Sequence, residues 1–174
     1  VKNNLCLGCG ICHDLCPTNS ISINIDNGQY LARVDENICI NNKGCHKCTT
    51  ICPGLGIDLI SVSNQLFNNP PKSKHNDLVG VYSAAFTGHA IDYKTRFHGA
   101  SGGCLTAFLA FLLDNGYITA AVVAENDLTQ HFLNKTVLIK SSKDLYKARS
   151  SKYCPVSFEG IIKKVKDENG KVAI

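Results

Sequence analysis

The residues of this chain best suited to do chemistry are its cysteines. Ten occur in 174 residues, and eight of them fall between Cys6 and Cys52. The first run reads Cys6-x2-Cys9-x2-Cys12-x3-Cys16-Pro17, and the second reads Cys39-x5-Cys45-x2-Cys48-x3-Cys52-Pro53. Thiols two and three residues apart, repeated twice, suit a metal centre better than a framework of bridges. Three thiolates on one tight loop can reach three iron corners of a single cubane. Gly8 and Gly10 let the backbone wrap closely, with amides free to hydrogen-bond the sulfides. Pro17 removes an amide and turns the chain after the fourth thiol.

This is the spacing with which bacterial ferredoxins hold [4Fe–4S] clusters. In two-cluster ferredoxins the fourth cysteine of each run ligates the other cluster. The expected ligand sets are therefore Cys6, Cys9, Cys12 and Cys52 for one cluster, and Cys39, Cys45, Cys48 and Cys16 for the other. The second run departs from the first by three extra residues between its first two cysteines, so that Ile40-Asn41-Asn42-Lys43-Gly44 fill the gap. This polar insert is expected to bulge outward, leaving the ligands in place and shifting the second cluster's potential or exposure. Zinc is the rival reading, since eight cysteines in Cys-x2-Cys pairs would close two tetrahedral sites. Zinc, however, needs only pairs, whereas each run offers a third cysteine and then Cys-Pro. His13 and His46, beside the ligands, read as solvated loop residues.

The elements that must position these thiols come next. Residues 1–66 read as an internal repeat of two cysteine loops. The loops are joined by alternating apolar residues around Asn27-Gly28, which predict a hairpin of Ile21–Ile25 with Tyr30–Val34. Residues 67–77, polar and carrying Pro70-Pro71, read as a linker. Residues 78–174 read as a separate α/β layer. Strands are expected at Leu78–Phe86, Tyr117–Val123, Phe132–Lys140 and Lys171–Ile174. Helices are expected at Ser142–Arg149 and Ser157–Lys166, and a buried helix at Cys104–Leu113, stopped by Asn115-Gly116. Cys104 and Cys154 read as small buried packing residues.

Composition bounds the rest. At 44% hydrophobic and 18% charged the chain is globular. Leu105–Leu113 is too short an apolar run to span a bilayer, so no transmembrane segment is expected. Residues 1–66 carry four basic and five acidic groups, and residues 67–174 carry fourteen and nine. Two oxidised cubanes would add about −2 apiece to the first part, which makes a basic second half electrostatically apt. No zinc-finger, RRM or helix-turn-helix signature is present, and no nucleic-acid role is expected. Oxygen-sensitive clusters and reduced thiols imply a cytoplasmic setting. The chain opens on Val1, holds no methionine and stops within a strand pattern, which reads as a fragment.

Gly99-x-Ser101-Gly102-Gly103 ahead of a helix has the layout of a phosphate cradle, and equally of a turn before a tightly packed helix. The wider pattern is Arg96-x4-Ser101-Gly102-Gly103-x3-Ala107, then Gly116-Tyr117-Ile118-x-Ala120, then Ala148-Arg149-Ser150-Ser151-Lys152-Tyr153. Behind a ferredoxin repeat, it resembles the coenzyme F420 hydrogenase/dehydrogenase beta subunit family.

The resemblance implies an α+β chain: a 2[4Fe–4S] ferredoxin-like domain followed by an incomplete, truncated α/β flavin-binding domain. It implies that Ser101, Gly102 and Gly103 lie at an FAD. Ser151, Lys152 and Tyr153 would form part of the flavin or substrate pocket, and Arg96 would be a second anion partner. Lys152, Tyr153 and Arg96 also have plain readings, as a solvated charge, a core ring and a surface charge. The function implied is an oxidoreductase subunit that passes electrons between clusters, FAD and a soluble acceptor such as coenzyme F420. Its partner would be a redox subunit or soluble carrier. Two alternatives stand beside it: a ferredoxin-type module without its own catalysis, and a non-F420 reductase of polysaccharide or pigment metabolism.

Overall fold

Asn27 and Gly28 both take left-handed backbone, with φ of 49° and 77°. Two positive φ values in a two-residue loop match the twist of a tight hairpin. The turn joins β1 (Ile21–Asp26) to β2 (Gln29–Val34) as an antiparallel hairpin, the element the sequence predicts. Ile21 faces Val34 and Ile23 faces Ala32 across the pair. Ile21 and Ala32 are buried, so the hairpin turns one apolar face inward. The same half holds the short helices α1 (Ile11–Leu15), α2 (Lys47–Thr50) and α3 (Leu59–Leu66), of which α1 packs on β1 and on α2. Asp58 starts α3 by accepting from the Ser61 amide at 2.9 Å.

These observations come from a computed structural model that describes residues 5–67, 74–129 and 133–174. The chain mixes helix and strand, with small sheets. In the second half β3 (Lys74–Asn76) and β4 (Gly80–Tyr82) form a short antiparallel ribbon. Next come α4 (Tyr93–His98) and α5 (Cys104–Asp114). Then β5 (Ala120–Asn126) pairs antiparallel with β6 (Asn134–Ile139) and parallel with β7 (Val172–Ala173). Ala120, Ala121, Ile139, Leu145 of α6 (Ser142–Ala148) and Ile161 of α7 (Ile161–Lys166) make the buried core there. The sheet is small, so the apolar area removed from water is small too.

Directional contacts bind the cysteine-rich half to this core. The Tyr30 hydroxyl donates to the Asn134 carbonyl at 3.1 Å. The Phe158 amide donates to the Cys9 carbonyl at 2.8 Å. Asp14 of α1 accepts from the first amides of α7.

Several expectations are corrected. The strand expected over Leu78–Phe86 is only β4, and Leu78 and Phe86 stand almost fully exposed. The helix expected over Cys104–Leu113 forms but is not buried, with Leu105 70% and Phe108 58% exposed. Its sequence is apolar all round, yet among the described residues the elements that chiefly pack against it are α4, α6 and the glycine turn before it. The helix expected from Ser157 begins at Ile161, because Gly160 has φ of 76° and Ser157–Glu159 bond elsewhere. Cys104 and Cys154 are exposed rather than packed inside. Residues 68–73 of the expected linker and Phe132 of the expected strand lie outside the described residues.

Gly10 and Gly28 separate two costs of replacing a glycine. A Cβ on Gly28 would meet open space, whereas one on Gly10 would fall 2.2 Å from Ser157 Oγ and 2.8 Å from the Glu159 nitrogen. Gly28→Ala is therefore expected to cost only the left-handed backbone term, about 1–2 kcal/mol. Gly10→Ala adds overpacking and should cost about 3 kcal/mol or more. Thermal melts of the two variants check this, and equal losses would contradict it.

Candidate functional site

The hairpin floor serves two neighbouring groups of thiols. Cys6, Cys9, Cys12 and Cys52 line one cavity together with Ile23 and Ala32. Cys16, Cys39, Cys45 and Cys48 line another, of about 460 Å³, together with Ile21 and Val34. Residues of both register pairs thus line the thiol cavities. The first set closes around about 30 Å³. It also opens on an adjoining space of about 570 Å³, where Cys6, Cys12 and Cys52 meet Cys48. Cys52 thus lines a cavity with the first run, and Cys16 one with the second. Among the described residues, no three His, Cys, Asp or Glu side chains are gathered as a single metal ion would need.

The insert of the second run behaves differently from its expectation. Asn41–Lys43 wind into one 3-10 turn, and Gly44 ends it with φ of 85°. Ile40, Asn41 and Asn42 line the second cavity beside Cys39 and Cys45, so the insert forms wall and does not simply bulge away. The turn is held by Lys43 and Cys45 amides donating to the Ile40 carbonyl, at 3.0 and 3.4 Å.

The thiols have distinct electrostatics. Burial, then the charges of Cys9, Cys48 and Cys6, push the Cys12 thiol up to about 11. Four thiolates crowded in this way repel one another unless cations lie among them. At Cys16 burial also acts upward, but hydrogen bonds outweigh it and the pKa falls to about 7. Its sulfur meets Ser20 Oγ at 3.2 Å and Thr18 Oγ1 at 3.6 Å, and accepts from the Ser20 amide at 3.3 Å. Donors aimed at a ligand sulfur are what an iron–sulfur centre uses to hold and tune its thiolates. Four thiols per cavity, apolar walls and such donors fit an iron–sulfur cluster.

Asp14 is the functional residue the sequence reading passed over. It lies between Cys12 and Cys16, and its side chain is 0% exposed. It accepts from the amides of Gly160 (2.7 Å), Ile162 (2.8 Å) and Lys163 (3.3 Å). His13 Nδ1 lies 2.7 Å from the same carboxylate, and His13 Nε2 lies 3.5 Å from Glu159. His13 is therefore no freely solvated loop residue. Burial pushes the Asp14 carboxyl up, but these four hydrogen bonds prevail and hold it below the ordinary range. The one sequence signal was Gly160, whose left-handed backbone gives α7 no side-chain cap of its own.

The residues expected at a flavin are placed as follows. Ser101, Gly102 and Gly103 all have positive φ, in a tight turn leading into α5. A Cβ on Gly102 would fall 2.9 Å from His89 Cβ, and one on Gly103 would fall 2.5 Å from the Thr95 carbonyl. The Ala90 amide donates to the Gly102 carbonyl at 2.8 Å. These two glycines are thus required by close approach of the chain's own backbone, the second of the two readings. Arg96 is brought beside the turn, its Cα 3.2 Å from that same Cβ position on Gly103. Ser151 and Tyr153 are exposed, Tyr153 at 95%, so the core reading of Tyr153 fails. Lys152 Nζ donates to the carbonyls of Arg149 (2.8 Å) and Ser150 (3.2 Å). None of the cavities above is lined by these residues.

Comparison with known proteins adds to this geometry. Residues 85–163 match the family model described as coenzyme F420 hydrogenase/dehydrogenase, beta subunit N-term. Residues 1–22, which hold the first cysteine run, match the 4Fe-4S binding domain. Over all 174 residues the chain is 26% identical to the coenzyme F420-dependent sulfite reductase of Methanocaldococcus jannaschii. It spans 24% of that relative's length. A solved structure of the F420-reducing [NiFe] hydrogenase complex from Methanosarcina barkeri is 25% identical. That match covers 39% of this chain and 23% of the other, with a TM-score of 0.37. Residues 85–163 are thus similar to the N-terminal part of the coenzyme F420 hydrogenase/dehydrogenase beta subunit, behind a start that matches an iron–sulfur binding domain. Among the described residues no helix is long and apolar enough to cross a membrane.

The donors at Cys16 lead to a direct expectation. Hydrogen bonds to a ligand sulfur favour the reduced cluster. Ser20→Ala should leave the iron content unchanged and lower the midpoint potential of the cluster that Cys16 joins. A redox titration followed by electron paramagnetic resonance measures this, and an unmoved midpoint would contradict the role given to Ser20.

Proposed function

We propose that this chain is the cluster-bearing part of an oxidoreductase subunit. It would move electrons between two [4Fe–4S] clusters, FAD and a soluble acceptor such as coenzyme F420. The observation that carries this reading is the exchange of the fourth thiols between the two cysteine runs. It supports ligand sets of Cys6, Cys9, Cys12 and Cys52, and of Cys39, Cys45, Cys48 and Cys16. When bound, such clusters supply one-electron storage, and FAD supplies exchange between electron pairs and single electrons.

The chain's own residues do the positioning. Ile21, Ile23, Ala32 and Val34 provide a dry floor under both thiol sets. Ser20 and Thr18 aim donors at the Cys16 sulfur. The Cys9 carbonyl and the Asp14 carboxylate hold the ligand loop against residues 158–163. Arg96, Ser101, Gly102, Gly103, Ser151, Lys152 and Tyr153 are the proposed flavin contacts, on the strength of their motifs and of Arg96 adjoining the glycine turn. The family match over residues 85–163 and the similarity to an F420-dependent relative support the acceptor class and a partner redox subunit or carrier. Reduced thiols in this number accord with a cytoplasmic setting.

One set of observations favours a second reading, a ferredoxin-type module without catalysis of its own. Tyr153 is exposed, Lys152 is engaged by backbone carbonyls, and the glycine turn packs on its own chain. Iron, zinc and flavin assays on one anaerobic sample, with a visible spectrum, separate the two. About eight irons per chain and one bound flavin are expected from the first reading. About eight irons without flavin would leave the module reading in place. A colourless, zinc-loaded protein would contradict both.

A further inference from the structure

We propose that Asp14 is a positioning residue for electron transfer. It locks the ligand helix to α7 across the seam between the two halves, and its buried charge sets the potential of the adjoining cluster. This deepens the two-cluster reading and rests on it. Asp14 sits on α1 between Cys12, a wall of the first cavity, and Cys16, a wall of the second. It takes three amide partners from the second half.

The arrangement is more specific than adhesion requires. Burying a carboxylate beside thiolates is electrostatically adverse, and an apolar side chain would have joined the halves without that penalty. The carboxylate is instead matched to three amides at the start of α7 and to His13. Gly160, the residue before α7, offers no side-chain cap, so the helix start is capped by a residue 146 positions away from that glycine. Neighbouring contacts fix the same seam. Phe158 N–H bonds the Cys9 carbonyl, and Lys163 Nζ donates to Asn19 Oδ1 at 3.1 Å. A displacement of α7 would therefore be felt at both cavities at once. A fixed negative charge at this place disfavours the added electron and lowers the potential.

The test uses anaerobically loaded protein and two variants. Asp14→Asn removes the charge and part of the clasp. Ile162→Pro removes one amide donor in the first helical turn, where proline is tolerated, and leaves the ligand loop untouched. Iron content, midpoint potential and hydrogen exchange of the amides at 158–164 are measured for each. Asp14→Asn is expected to keep its iron, to raise the midpoint, and to exchange those amides about tenfold faster or more. Ile162→Pro is expected to quicken the same amides while moving the midpoint less. Faster exchange with an unmoved midpoint in Asp14→Asn overturns the proposal, leaving a structural clasp only. An unchanged exchange rate in either variant overturns it as well. Should Asp14→Asn fail to fold, Asp14→Ser, which keeps an acceptor without the charge, takes its place in the same three measurements and is held to the same outcomes. Wild-type protein that binds no clusters fails the two-cluster reading itself, a result distinct from these.

Discussion

Cys16 and Cys52 each leave the run that carries them, and the order of the cysteine-rich half depends on that exchange. A run that kept its own fourth thiol would form a loop independent of the other. Here each cavity draws wall from both runs, so neither loop can be placed without its neighbour. The hairpin between them makes the exchange geometrically natural. Its period of two residues puts Ile21, Ile23, Ala32 and Val34 on one face, toward the thiols of both runs. The thiols themselves oppose the arrangement, as the raised Cys12 shows. A metal group that neutralises them turns this repulsion into folding energy, because the same site does not exist in an unfolded chain.

The second half supports this unit through backbone groups more than through apolar area. Its sheet is small, α5 is largely exposed, and the buried core is limited to alanines and a few branched residues. What crosses the seam is directional: an amide on the Cys9 carbonyl, a tyrosine hydroxyl on Asn134, and a helix start on Asp14. Directional contacts fix distance and orientation better than apolar contact of the same extent. A seam of this kind suits a protein whose halves must hold a constant separation for electrons to pass.

What the sequence disclosed follows the range of each interaction. The Asn27-Gly28 hairpin was legible because its turn chemistry is contained in two residues. The exchange of Cys16 and Cys52 was legible because it is written in spacing. Asp14 was not, since its partners are backbone amides, which every sequence possesses, and lie well over a hundred residues away. The burial of α5 was misread because an apolar helix announces what it would bury, not which neighbours exist to cover it. The start of α7 was misread for a local reason: Gly160, a left-handed residue, stood inside the expected helix and signalled its true beginning. The glycine turn at Ser101–Gly103 fitted two readings equally, and only the positions of His89 and Thr95 show what its missing side chains make room for.

The central claim is that two iron–sulfur clusters lie side by side, sharing thiols between runs. Electron paramagnetic resonance of the anaerobic protein, recorded through stepwise reduction, addresses it most directly. Partial reduction should give isolated cluster signals, and full reduction should give the broadened, split spectrum of two paramagnets in close contact. A fully reduced protein that still shows one simple, unsplit signal, accounting for one spin per chain, would contradict the account.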